Sequence, residues 1–407
     1  MTYSTKSDAF AYLATVEADL IRGLWKAPVR SDATVKSFGQ AWIRQNPDLK
    51  DSTRVAYAND FRLHLEPFLG HYRLDQLKPE LIREWRATVG DRIRQRSTER
   101  DLHSASRRQT GKSTQARAYR LLRATASGVS RGTESLVFHG RVPTSQYDAM
   151  RAPLMAGVFP FPVKYGYALV GQDASGGRWF CLHPHQDLVM APVPMCVPIP
   201  DAVPDHRATL AANMETALNI TWDAGPLIGQ RIMVIGAGVV GLLTASLLAR
   251  LPATCVTLVD VNPGRAELAR RFGCEFATPD DAPDQQELII HASATEPGLR
   301  LALASAAPEA LIIEASWYGD AAPAVPLGED FHARRLRIVA SQVGSVAPAM
   351  RARRTHGQRL ALALGLLADP AYDALLDGPT SFTDLPAAMP AILRPGGLCH
   401  VITYGTP

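Results

Sequence analysis

The chain has 407 residues, 46% apolar and 20% charged, the balance of a soluble globular protein of two or three domains. A formal net charge of +4 does not by itself define a polyanion-binding protein, and the five cysteines form no C-x-x-C pair, which argues against a disulfide framework or a clustered structural zinc site. No early apolar segment reads as a secretory signal and no stretch is apolar for long enough to span a bilayer, so a cytoplasmic protein without membrane contact is expected.

In chain order, the pattern predicts a short helix from Ser7 to Leu24. A second helix starts near Val35, places Phe38, Ala41 and Trp42 on one face and ends at Pro47. Ser52 and Thr53 cap a third, with Val55, Tyr57, Phe61 and Leu65 on its apolar side and Gly70 as its break. Pro79 opens a further helix burying Leu81, Ile82 and Trp85. Arginines crowd from Arg83 to Arg123, opposed by Glu84, Asp91, Glu99 and Asp101. Such a block either meets phosphate or is a solvated surface, and the second is commoner.

This region, Ser37 to about Arg123, resembles the N-terminal SAM-like, core-binding domain of tyrosine recombinases (phage integrases). The resemblance is carried by Phe38, Ala41-Trp42, Leu49 to Arg54, Tyr57, Leu69-Gly70, Leu77-Lys78-Pro79, Trp85 and the run Lys112 to Arg123. It implies a small helical bundle that clamps DNA through backbone contacts. The recombinase catalytic domain does not follow. The single H-x-x-R, His332-Ala333-Arg334-Arg335, has none of that family's surroundings. The resemblance leaves one alternative for the whole chain, a DNA-binding protein of integrase origin that lacks the catalytic domain.

After Leu121 to Thr125, a run that suits a helix end or a strand, Ala126 to Glu134 is turn-rich. Short β-like runs at Pro160 to Gly171 and Arg178 to His185, with Gly and Pro between them, suggest a small barrel. A helix over Ala208 to Ala224 leads into Val234-Ile235-Gly236-Ala237-Gly238-Val239-Val240-Gly241. This is a strand end, a glycine turn and a helix start, and each glycine has a separate purpose. Gly236 allows the tight turn, Gly238 admits a pyrophosphate to the backbone, and Gly241 brings the helix close to the strand. With Ala237, Val239 and Val240 between them, they present the N–H groups and dipole of a helix start to phosphate.

A second strand over Cys255 to Val259 ends in Asp260, at the spacing of a carboxylate that binds a ribose. That acid favours NAD over NADP. Arg265, in the turn after Asn262 and Pro263, is the nearby cation that would accommodate the extra phosphate of NADP. Further strands at Glu275 to Ala277, Glu287 to His291, Ala310 to Glu314 and Leu336 to Ala340, with helices between several of them, predict an α/β fold, a Rossmann doubly wound parallel sheet. Helices over Ala361 to Leu367 and Leu385 to Leu393 and a strand over His400 to Tyr404 complete the chain.

Residues 126 to 407 resemble the medium-chain dehydrogenase/reductase superfamily, the zinc-type alcohol dehydrogenase-like proteins. Gly128-Val129-Ser130-Arg131-Gly132-Thr133-Glu134 stands where that family has G-I-C-x-x-D, and Tyr165-Gly166-Tyr167-Ala168 where it has G-H-E. Ser-Arg-Gly-Thr-Glu points to the bacteriochlorophyllide hydroxyethyl dehydrogenase-like branch. The resemblance implies a partial GroES-like β domain, a homodimer and hydride transfer to or from a small alcohol, carbonyl or activated alkene. Ser130, Tyr167 and Ala212 stand at the three zinc-ligand positions, so no zinc is expected. Ser130 and Tyr167, with Lys164 nearby, are then the candidates to stabilise oxyanion charge, and Glu215 the candidate to relay a proton.

The expected domains are a helical integrase-like region (1–123), a truncated GroES-like β domain (124–207), a Rossmann domain (208–345) and a segment returning to the β domain (346–407). The expected function is a zinc-independent, nicotinamide-dependent oxidoreductase, impaired if fusion to the N-terminal helices has removed paired barrel strands.

Overall fold

A computed structural model describes residues 33–45, 54, 58, 61–76 and 119–405. The helices expected over 7–24 and 77–85, the start of the 52–65 helix and the arginine block as far as residue 118 lie outside the described residues. Contacts divide the chain into two units, Met1–Ser113 and Thr114–Pro407.

In the first unit, α1 (Val35–Gln45) turns Val35 and Ile43 inward, against Phe61 and Leu69. Phe38 and Trp42, the expected inner face, are 53% and 45% exposed. The reason is Gly39, which shares the Val35–Ile43 face and lets the Phe61 ring lie against the helix backbone; a Cβ there would sit 2.3 Å from that ring. Helical turns over Phe61–Leu65 and Glu66–Leu69 end before Gly70.

The second unit begins with β1 (Tyr119–Val129), followed by α2 (Arg131–Phe138). Then come β2 (Ala156–Gly157), β3 (Val163–Lys164), β4 (Leu169–Gln172), β5 (Arg178–Cys181), β6 (Leu188–Pro192) and β7 (Cys196–Pro198). The long helix α3 (Ala211–Ala224) leads to β8 (Arg231–Ile235), α4 (Val239–Leu248), β9 (Cys255–Val259), α5 (Ala266–Arg271) and β10 (Glu275–Ala277). After β11 (Gln286–His291) come α6 (Glu296–Ser305), β12 (Ala306–Glu314) and β13 (Arg337–Ala340). The chain closes with α7 (His356–Leu366), β14 (Leu376–Ser381), α8 (Leu385–Ile392) and β15 (Cys399–Thr403).

Two sheets organise this unit. One is a six-stranded sheet in the order β10-β9-β8-β11-β12-β13, with every pairing parallel. The doubly wound sheet expected from the sequence is therefore present. Its central strands are buried, as a parallel sheet covered on both faces requires. The other sheet runs β14-β15-β1-β4-β5-β7, with β6 also on β1.

β1 corrects two expectations. Its residues 119–123 cross the expected boundary at 123/124, and the end of the integrase-like run is here a strand of the second sheet. Ala126 to Val129 is strand rather than turn, and a helix follows directly from Arg131. The small residues that suggested a turn serve close packing: a Cβ on Gly128 would lie 2.9 Å from Thr209 and 3.0 Å from the Cys399 sulfur. β1 is paired along its length, with β6 over Tyr119–Arg123 and β15 over Ala126–Val129. Tyr119, Leu121, Leu188 and Met190 stand exposed on that ladder.

Among the described residues no helix is long and apolar enough to cross a membrane.

Candidate active site

The glycine turn lies at the C-terminal edge of β8, where an open parallel sheet places its crevice. Gly236 has φ +106°, and a Cβ on it would meet the Ser293 nitrogen at 2.8 Å. A Cβ on Gly241 would lie 1.9 Å from the Gly236 carbonyl oxygen, so strand and helix touch there. Gly238 is the N-cap of α4 and has open space where its Cβ would be. Val239 and Val240 form the first turn of α4. The Asp260 carboxylate reaches this loop and accepts the Ala237 N–H at 2.6 Å and the Asn262 N–H at 2.8 Å. Arg265 extends to the C-terminal segment and donates to the Gly396 carbonyl at 2.5 Å. The Arg131 guanidinium packs on the adjacent Gly397. Burial lowers the Arg131 pKa, Asp377 opposes that shift and Arg265 adds to it.

The second cluster is in the barrel. The Tyr167 hydroxyl donates to Ser130 Oγ at 2.6 Å, joining a residue before β4 to the N-cap of α2. Burial pushes the Tyr167 pKa up to about 12, so the hydroxyl keeps its proton at neutral pH. Beside this pair is a buried chain that the sequence did not reveal. Glu134 accepts the Ser130 N–H at 2.7 Å and, through its other oxygen, His185 Nε2 at 3.0 Å. His185 Nδ1 is 2.7 Å from Ser127 Oγ, which is 2.8 Å from the Tyr404 hydroxyl. Gly166, at φ +113°, admits the His185 ring; a Cβ there would lie 2.9 Å from it. His185 thus braces both the segment carrying Tyr167 and the helix carrying Ser130. Only its place in a His-Pro-His run marked it in the sequence, where it read as a packing or surface residue.

Two candidates lie elsewhere. Lys164 is exposed on β3 and its ammonium meets the Gln186 side chain. Glu215 already has a charged partner. It is buried on α3 and ion-paired with Arg359 at 3.0 Å. Arg359 in turn donates to the Asn219 side chain and to the Val343 and Ser345 carbonyls. Desolvation raises the Glu215 pKa and Arg359 opposes it.

The larger unit has the fold of the zinc-type medium-chain dehydrogenases, a Rossmann sheet beside a GroES-like barrel. It is similar in structure to a zinc-binding dehydrogenase from Sinorhizobium meliloti 1021 bound to NADP, with a TM-score of 0.58 at 17% identity over 73% of this chain and 95% of that one. Galactitol-1-phosphate dehydrogenase from Escherichia coli aligns with a TM-score of 0.56 at 15% identity, over 73% of this chain and 96% of that one. In sequence, L-threonine 3-dehydrogenase of Sinorhizobium medicae (strain WSM419) is 30% identical over 126 residues, 30% of this chain and 36% of that protein. The chain thus covers 36–38% of the first curated relatives it matches. The family model for the phage integrase N-terminal SAM-like domain matches residues 34–88.

These comparisons overturn the expectation of NAD without zinc. The S. meliloti protein is described as zinc-binding, and its structure holds NADP. The three compared positions here do not form a zinc ligand set: Ser130 and Tyr167 are hydroxyls bonded to each other, and Ala212 is buried on α3. Among the described residues no three His, Cys, Asp or Glu side chains gather to hold a metal ion.

Proposed function

We propose that the larger unit is a nicotinamide-dependent oxidoreductase that moves hydride between its cofactor and a small alcohol or carbonyl compound. The observation that carries this reading is the glycine turn at the edge of β8, with Asp260 bonded to its Ala237 N–H. Gly236, Gly238 and Gly241, with Ala237, Val239 and Val240, would hold the cofactor's pyrophosphate, and Asp260 its ribose. Arg265 is the cation available to a 2′-phosphate. The nicotinamide supplies the hydride. Ser130, accepting from Tyr167, has its own O–H to give to a substrate oxygen, and charge gained there is stabilised through both hydroxyls. The test is titration of the full-length protein with NAD(H) and NADP(H), followed by absorbance at the nicotinamide band with panels of alcohols and carbonyls. Binding of neither dinucleotide refutes the proposal.

The family match over 34–88 supports a second property, weak DNA contact by the N-terminal region. Such binding rests on counterion release and falls steeply with salt. Fluorescence anisotropy with duplex DNA across a salt series tests it, and no binding at low salt refutes it. We also propose a homodimer through β13, an edge strand on which Val339 is 45% exposed. Sedimentation velocity showing only monomer at micromolar concentration refutes that assembly.

A further inference from the structure

A second constellation lies at the C-terminal ends of β11 and β12, outside the Ser130–Tyr167 cluster. His291 and Glu314 are direct partners in the parallel ladder. His291 Nδ1 is 2.7 Å from Glu314 Oε2, and its Nε2 is 2.7 Å from Ser293 Oγ. The imidazole is fully buried. Glu314 is held by further donors, the Ser316 N–H at 2.8 Å on Oε1 and the Tyr318 hydroxyl at 3.1 Å on Oε2. Although burial raises the Glu314 pKa, the bonds from His291 and Ser316 outweigh it and leave the carboxyl below its usual range.

The ionised carboxylate only accepts, so in the neutral imidazole His291 Nδ1 carries the proton and Nε2 is the acceptor that faces Ser293 Oγ. Ser293 must then donate its O–H to Nε2, and the Thr295 hydroxyl, 2.9 Å away, can donate to Ser293 Oγ. The bonds run from Thr295 through Ser293 and His291 to Glu314, and Ser293 is itself only partly buried. Gly298, in the first turn of α6, makes the room: a Cβ there would lie 2.3 Å from Ser293 Oγ and 2.7 Å from His291 Nε2. The positive end of that ten-residue helix adjoins the serine, the sign of charge that suits a developing oxyanion.

We propose that Ser293, His291 and Glu314 form an activated-serine site that takes acyl groups from small activated esters. The connectivity is that of nucleophile, general base and orienting carboxylate. Ser293 Oγ attacks the ester carbonyl carbon while its proton passes to His291 Nε2. The C–O bond to the leaving alcohol breaks and that alcohol takes the proton from His291. Water then attacks the acyl-serine, gives one proton through His291 back to Ser293 Oγ, and releases the carboxylic acid.

The site adjoins the glycine turn, where a Cβ on Gly236 would meet the Ser293 nitrogen at 2.8 Å, but its test needs no dinucleotide. Full-length protein is treated with p-nitrophenyl acetate and, separately, with diisopropyl fluorophosphate, and the modified peptide is mapped by mass spectrometry. The expected result is one phosphoryl adduct on Ser293 and release of p-nitrophenolate at least tenfold faster than from Ser293→Ala or His291→Gln protein of unchanged circular dichroism. Mapping the adduct on unsubstituted protein keeps the test decisive if a variant does not fold. No adduct, an adduct on another residue, or equal ester turnover by Ser293→Ala overturns the proposal.

Discussion

The Asp260 carboxylate accepts the Ala237 N–H at 2.6 Å, binding the end of β9 to the glycine turn 23 residues earlier. One side chain thereby orders the loop proposed to hold the pyrophosphate and also stands where a ribose would be recognised. Asp260→Ala removes a charge-assisted hydrogen bond of about 1.5–3 kcal/mol. Dinucleotide affinity measured by calorimetry is expected to fall by about tenfold or more, since 1.4 kcal/mol is tenfold. An unchanged affinity would remove Asp260 from the site.

Tyr167→Phe leaves the ring and deletes the donor to Ser130. If the pair stabilises oxyanion charge, kcat falls by about 10²–10³ with KM little altered, the size found for the loss of one oxyanion donor. Steady-state kinetics on any substrate found in the panels checks this. A drop confined to KM would assign the pair to ground-state binding instead.

Tyr167 and Tyr404 also make stability depend on alkaline pH. Both pKa values are raised from 10.0 to about 12, with burial the largest cause. A raised pKa means the folded state binds the proton more tightly than the unfolded chain. The contribution is complete below about pH 10 and is lost as pH rises through about 12, the folded values. Denaturant midpoints measured from pH 8 to 12 should fall over that window, and less in Tyr404→Phe. A flat profile in the unsubstituted protein contradicts the assignment.

Glu215→Leu leaves the buried Arg359 guanidinium without its carboxylate. Breaking such a pair costs about 3–5 kcal/mol, which thermal or urea unfolding will read. Glu215→Gln retains an acceptor and should keep turnover within a few-fold. Loss of activity in Glu215→Gln with stability unchanged would restore the proton-relay role.

What the sequence determined by itself is local. The glycine turn, the acid after β9, the break at Gly70 and the alternation of strand and helix from Ala208 onward were legible because each is written within a few residues, in φ demands, caps and apolar periodicity. The hydroxyls of Ser130 and Tyr167 were legible through family resemblance, but not their 2.6 Å contact. Tertiary structure alone decided the rest. The Ala126–Val129 end of β1 looked like a turn because Gly128 and Ser127 are small, and the strand's partners lie at residues 169–172, 188–192 and 400–403. Only pairing at that distance makes the segment a strand. Glu215 read as a candidate proton relay, and the sequence held no sign of Arg359, its ion-pair partner 144 residues away. His185 read as a packing residue until Glu134 and Ser127 met its two nitrogens. A buried charge or imidazole takes its role from the groups that replace water around it, and no local pattern names groups that far along the chain.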